Sequence, residues 1–222
     1  IRQYAREKLL ESGEGEQVQA RHLAFIVRLA EEFRIHFASP AQLLWLNRLR
    51  TEQDNVRTAI DWALVSGDIL TGMRLTTALL WYWQHRYSGE GSDYLRKLLA
   101  RPEAVGPTLE RAQALWSRGT LEVWQGNYGL AQSLQEEALA IAKERGEQAT
   151  MAGVLGQLGV IARVQKQNLT ARALITESAD IFRQVDDPWE LSVALLNLGD
   201  VIQNDDDLEG ARLLTLDPVW VA

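Results

Sequence analysis

The sequence predicts an all-α protein built from repeated helix pairs. Three observations predict it. The first is a fixed period. Gly119, Gly159 and Gly199 are evenly spaced, and the same step links Leu115, Leu155 and Leu195, then Leu121, Ile161 and Val201, then Ala131, Ala171 and Ala211. Several columns recurring in phase at a step of about 40 residues mark a solenoid of stacked repeats. The second is spacing within a copy. Leu115, Gly119, Leu121 and Trp124 fall near helical positions, and Ala131, Leu134, Ala138, Leu139 and Ile141 share one side of a second helix starting at Leu130. The third is punctuation. Gly126-Asn127-Tyr128-Gly129 divides a copy into halves, and the column Gly106, Gly146 and Asp186 divides one copy from the next.

The elements follow in order. Residues 1–12 suit a short helix with Ile1, Tyr4, Ala5 and Leu9 on one face, ended by Ser12-Gly13 and Gly15. Gln17 to Ala38 suit a longer one, striped by Phe25, Ile26, Leu29, Ala30, Phe33 and Phe37. Ser39-Pro40 reads as a start, serine as N-cap and proline in the first turn, for a helix carrying Leu43, Leu44, Leu46 and Leu49. Asp54 reads as the cap of a helix over Asn55 to Val65, with Val56, Ile60 and Ala63 inward, closed by Ser66-Gly67-Asp68. Residues 67–100 carry a blurred copy of the repeat: Leu75, Trp81, Arg86, Gly91 and Leu98 lie one full period before Leu115, Leu121, Gly126, Ala131 and Ala138. Asp187 and Pro188 predict the cap and first residue of a later helix. In the last copy Asp217-Pro218 interrupts the second helix near Leu216, because proline inside a helix costs ~3 kcal/mol. The small columns predict close helix crossings, since glycine or alanine lets two backbones approach. Mid-helix glycine costs ~1 kcal/mol against alanine, which close packing has to offset.

The columns Leu115, Gly119, Tyr128, Ala131 and Ala138 resemble the tetratricopeptide repeat in its longer bacterial form. They are echoed by Leu155, Leu158, Gly159 and Ala171, and by Leu195, Leu198, Gly199 and Ala211. Tyr82 stands where that family often has an aromatic residue. The resemblance covers residues 108–216 well and 67–100 weakly, and it implies a right-handed α-solenoid of antiparallel helix pairs. The front of the chain has a resemblance of its own. IRQYAREKLLESGE, RHLAFIVRLAEE and WLNRLRTEQDNVRTAIDWALVSGD are similar to the joint between the nucleotide-binding module and the repeats of STAND-type regulators, including LuxR-like and streptomycete-antibiotic-type transcription factors. That implies two parts: residues 1–66 as a helical linker after an upstream ATPase and winged-helix module, and residues 67–222 as tetratricopeptide-like repeats, the last incomplete. A start at Ile1 inside a helical pattern fits a fragment of a longer protein.

Composition narrows the chemistry. Hydrophobic residues make up 46% of the chain, ample for a core, and the net charge of −7 with no Lys/Arg cluster disfavours direct nucleic-acid binding. The chain has no cysteine, which excludes thiolate chemistry and disulfides and fits a reducing cytoplasm. No apolar run or signal peptide predicts a membrane association. No glycine precedes Lys8, Lys97, Lys143 or Lys166, so the phosphate loop GxxxxGK[ST] is missing and no cofactor is expected in this segment. His22, His36 and His85 lack metal-ligand spacing. Ser39, Ser88 and Ser133 lie in no nucleophile elbow. Asp205-Asp206-Asp207 lacks the spacing of a calcium loop and suits a solvated turn. Arg2, Arg6 and Lys8 suit the solvated face of their helix.

Eight tryptophans in 222 residues are the informative excess. Trp81 falls in the column of Leu121 and is expected inside. Trp83, Trp116 and Trp124 map to positions that, by the repeat resemblance, face a concave groove, together with Gln84, Thr120, Arg163 and Gln203. Two readings stand. The rings pack between neighbouring helices, or they line an aromatic groove that grips a peptide or another part of the protein, as aromatics and arginines commonly dominate such interfaces. The function expected is non-catalytic: a protein-binding sensor and scaffold arm of a signal-transduction ATPase regulator, its partner a protein or peptide or its own ATPase module. The alternatives are a free-standing repeat adaptor, and a regulatory tail of a kinase or nucleotide cyclase.

Overall fold

The computed structural model describes residues 14–203, and among them every regular element is helical. The expected helix over 1–12, Ala211, and the interruption at Asp217-Pro218 lie outside the described residues. No described helix is long and apolar enough to cross a membrane. The described residues fall into two compact units, divided between Val105 and Gly106.

The first unit holds α1 (Gly15–His36), α2 (Gln42–Thr51), α3 (Gln53–Ser66), α4 (Ile69–Ala78), α5 (Leu80–Arg86), α6 (Ser88–Leu99) and a 3-10 turn, Pro102–Ala104. Helix α1 packs on α3 and α4 through Leu23, Ile26, Val27, Leu29, Ala30 and Phe33. Phe25, expected in that stripe, is 49% exposed. Helix α6 packs on α3, α4 and α5. Arg57 of α3 clamps Glu90 of α6 with both arms, Nε to Oε1 at 2.6 Å and Nη2 to Oε2 at 2.9 Å. This planar two-bond geometry fixes one helix against the other more specifically than a point charge does. Within this unit α4 rests on α1 and α3, the helices in front of it.

Two helix starts differ from the expectation. Ser39 does not cap α2. Its hydroxyl donates to the His36 carbonyl and accepts from the Ala41 N–H, closing a turn one step ahead of the helix. Asp54 lies inside the first turn of α3, which begins at Gln53, and its carboxylate faces Arg57 at 3.3 Å. Val56, Ile60 and Ala63 are fully buried as their spacing predicts, and Gly67 ends the helix with φ at +80°.

The second unit holds α7 (Leu109–Trp124), α8 (Tyr128–Arg145), α9 (Gln148–Val164), α10 (Asn168–Gln184) and α11 (Pro188–Gln203). Each helix packs on the next, and α9 also touches both α7 and α11. The expected punctuation is present, with α8 starting at Tyr128, just ahead of Leu130. Asp187 caps α11 by accepting from the Glu190 N–H at 3.1 Å, with Pro188 as its first residue.

The four turns of this unit share one geometry. Gly126, Gly146, Lys166 and Asp186, evenly spaced along the chain, hold φ of 81°, 70°, 61° and 56°. The N–H that follows each one, on Asn127, Glu147, Gln167 and Asp187, bonds back to the carbonyl of Glu122, Ala142, Ala162 and Phe182 at 2.9–3.1 Å. That backward bond satisfies a carbonyl the helix end leaves open and reverses the chain. In the first two pairs the second helix closes over the glycine of the small column. A Cβ on Gly119 would lie 2.6 Å from Gln135 Nε2, and one on Gly159 would collide with Ile175 and stand 3.2 Å from the Ala171 carbonyl. Gly119 and Gly159 are buried, as are Leu115, Leu155, Ala131 and Ala171, while Leu195 and Gly199 are half-buried. Thr215, which matches Gln135 and Ile175 in the last copy, lies outside the described residues. Around Gly159 the core draws on Leu155, Ala162, Ile175, Phe182, Leu191, Leu198 and Val201.

Two stability outcomes arise from this geometry. Gly159→Leu is expected to lower the urea midpoint by an equivalent of about 1–3 kcal/mol or more through overpacking. Gly129→Ala, in a helix with open space around it, is expected to raise the midpoint, since Ala is ~1 kcal/mol the better helix former. Equal effects would mean the helices do not approach at Gly159. Separately, a left-handed backbone costs a non-glycine residue ~1–2 kcal/mol, so Lys166→Gly is expected to raise Tm and Gly146→Ala to lower it. The sign of each shift in a thermal melt checks the assignment.

Candidate functional site

The candidate site is the row of side chains that α7, α9 and α11 present in a common register. Trp116 begins it. Its indole packs against Gly153 of α9, where a Cβ would stand 2.5 Å from ring atom Cζ2. Glycine at 153 therefore makes room for the ring, and Trp116 is half-buried as a packing element between α7 and α9. Its Nε1–H is buried without a hydrogen-bond acceptor among the described residues. Thr120 is 2% exposed, and its hydroxyl donates to the Trp116 carbonyl one turn back at 2.9 Å. Gln135, from α8, donates Nε2–H to that same carbonyl at 3.1 Å. These two bonds fix the middle of α7.

The end of the row is open. Trp124, at the last residue of α7, is 63% exposed, and Val164, one period later at the end of α9, is 43% exposed. Arg163 of α9 reaches toward Asp200 of α11, Nη2 to Oδ2 at 3.9 Å, while its Nε is buried without a bond. Gln203, at the end of α11, is exposed. Behind the row, Glu122 is 5% exposed and is held by the Asn127 side-chain amide at 2.7 Å and by Arg118 at 3.8 Å. The described residues contain no group of three or more His, Asp or Glu side chains arranged to hold a metal ion.

Trp83 and Gln84 are placed differently within their own unit. Both belong to the first unit. Trp83 is fully buried, its Nε1–H donates to the Thr76 carbonyl at 3.1 Å, and its ring meets Tyr82 and Tyr94. Gln84 is half-buried. The reason is a break between α4 and α5 at Leu79, with φ −98° and ψ 14°. The break shifts the register, so Tyr82 and Trp83 turn inward, whereas Trp81, expected inside, is only half-buried and stacks on Phe37 at 5.7 Å. An alignment by period alone carries no record of a helix break.

Comparison with known proteins bears on the fold. No family model and no curated protein matches the sequence. A solved structure does match: BtubC (BKLC) from P. vanneervenii is similar over 90% of this chain and 89% of its own, with a TM-score of 0.55 and 17% identity. The likeness is one of helical fold. Sequence reasoning missed two residues that shape the row. Asp200 had no motif to mark it, and Gly153 lies outside the periodic glycine column.

The two tryptophans separate in one experiment. Trp116→Ala is expected to cost about 3–5 kcal/mol of stability, the usual penalty for emptying a packed aromatic site. Trp116→Phe is expected to recover most of it, because the lost N–H is unpaired. Trp124→Ala is expected to change stability by less than ~0.5 kcal/mol, as surface substitutions do. Chemical denaturation of the three variants measures all three values.

Proposed function

We propose that this chain is a non-catalytic protein-binding arm, and that its second unit offers a partner the open end of the row on α7, α9 and α11. The reading rests on one observation. Trp124, Val164 and Gln203 stand exposed at the ends of successive first helices, with Arg163 between them. Two exposed apolar groups one period apart beside an arginine suit a segment with an apolar anchor and an acidic neighbour. Arg163 can fork two bonds to a carboxylate, and at 3.9 Å its own pairing with Asp200 is long enough to exchange. Because each helix of the unit packs on the next in one register, the finer fold we propose is a tetratricopeptide-like right-handed solenoid, in which first helices line the concave side.

The word order of the front section, with the repeats behind it, supports placing the arm in a STAND-type ATPase regulator acting in the cytoplasm. Its partner would be the protein's own ATPase module or a signalling protein. In that setting the arm senses by contact and the nucleotide chemistry lies elsewhere.

Two measurements test the proposal. The 222-residue chain is expected neither to bind nor to hydrolyse ATP, because it has no phosphate loop. Saturable micromolar binding in a calorimeter contradicts this. Trp124→Ala and Arg163→Gln are expected to weaken the complex with the ATPase module by about 2 kcal/mol each, roughly thirtyfold, while Tm stays unchanged. Unchanged affinity for both variants overturns the site.

A further inference from the structure

A crevice in the first unit carries an inference independent of the protein-binding reading. Helix α2 presents Leu43, Leu46, Asn47 and Arg50, one helical face at successive turns, toward Tyr82, His85 and Arg86 of α5 and the following Tyr87. Together they enclose about 250 Å³. Of the leucines along α2, Leu43 is 72% exposed and Leu44 71%, and only Leu49 is fully buried. The apolar face of α2 is thus left beside the crevice.

Its charge is one-sided. Two arginines, Arg50 and Arg86, line it and no carboxylate does. Elsewhere in the first unit Arg57, Arg74, Arg96 and Arg101 all have acidic partners. Arg50 and Arg86, like Arg21, Arg28 and Arg34 of the same unit, have none among the described residues, in a chain of net charge −7. The wall also holds an unused donor. Tyr82 is 4% exposed, and its hydroxyl has no hydrogen-bond partner among the described residues. Burial, with Tyr87 and Glu90 adding to it against Arg57, pushes its phenol up to about 12, so it keeps its proton at neutral pH. Tyr87 is close enough to perturb that group without reaching bonding geometry. A buried donor without an acceptor is a standing cost that a bound acceptor relieves. His85 is held in place by Nδ1 on the Trp81 carbonyl at 2.9 Å and by the edge of Phe37 at 5.9 Å.

We propose that the crevice between α2 and α5 binds a small amphiphilic anion, an aromatic or short-chain carboxylate or phosphate. The head group lies between Arg50 and Arg86 and accepts from the Tyr82 hydroxyl. The apolar body rests on Leu43, Leu46 and Tyr87. Guanidinium groups suit both carboxylate and phosphate, whose geometry they match in pairs of bonds. The size favours a small molecule. Ligand cavities run to ~300–1,000 Å³, and this one lies just below that range, whereas a stable protein interface buries ~1,200 Å² or more.

Calorimetry on the 222-residue chain tests this with four probes: benzoate, phenyl phosphate, uncharged benzamide and inorganic phosphate. Benzoate or phenyl phosphate is expected to saturate one site, and the tighter of the two names the head group. Benzamide and inorganic phosphate are each expected to bind about tenfold more weakly or worse, having lost a charged bond or the apolar body. Arg50→Gln and Arg86→Gln are each expected to weaken the better probe about tenfold at unchanged Tm, and Tyr82→Phe to weaken it by a smaller factor. Arg145→Gln, on the exposed end of α8, is expected to leave it unchanged. The proposal is overturned if neither anion saturates at millimolar concentration. It is equally overturned if benzamide or inorganic phosphate binds as tightly as the aromatic anions, or if Arg50→Gln, whose side chain pairs with nothing among the described residues, leaves the affinity unchanged.

Discussion

The second unit depends on the close packing between the two helices of a pair, at Gly119 against the Gln135 side chain and at Gly159 against Ile175 and the Ala171 carbonyl. No side chain but hydrogen fits at either glycine without displacing its neighbour. The closeness fixes the register of the second helix against the first, and the identical turns at Gly126, Gly146, Lys166 and Asp186 then carry that register forward. Successive first helices therefore present equivalent positions, and Trp124 and Val164 stand exposed at equivalent places. The same economy of space recurs between pairs, where Gly153 admits the ring of Trp116. Mid-helix glycine weakens a helix by ~1 kcal/mol, and the packing gained across α9, α10 and α11 offsets it.

Much of this was legible in the sequence because it is periodic. A period reports equivalent positions, and equivalent positions bury alike: Leu115 with Leu155, Ala131 with Ala171, Leu121 with Ile161. Asp187 and Pro188 were legible for a different reason, a local rule of helix starts that needs no tertiary contact. Local rules failed where a neighbour competed. Ser39 turned to the His36 carbonyl, and Asp54 was drawn to Arg57, which itself grips Glu90 of α6. The left-handed backbone at Lys166 was not legible, since nothing in a lysine announces it and only the alignment with Gly126 does.

The candidate sites were legible only in part, and the reasons are again physical. Reading Trp83 by its column, two periods before Arg163, assumes an unbroken helix, and the break at Leu79 removes that assumption. Trp116 sits between the two readings the sequence left open, with its ring packed on α9 and its N–H unspent. Arg163 was found from its column, but its partner Asp200 lies two helices further along the chain, and pairs of that kind leave no local trace. The crevice of the first unit was invisible in the same way. It takes one face from α2 and another from α5, and neither segment carries a motif.

Function in this account comes from presentation. The helix pairs supply a rigid frame, and the ends of α7, α9 and α11 supply exposed groups at fixed intervals. Hydrogen exchange on the 222-residue chain, alone and with the proposed partner, an ATPase module of the STAND type, tests that claim most directly. The account predicts slowed exchange in the last turns of α7, α9 and α11, around Trp124, Arg163 and Gln203, with α8 and α10 unaffected. Protection confined to α8 and α10, or none at a saturating concentration of the module, would contradict it.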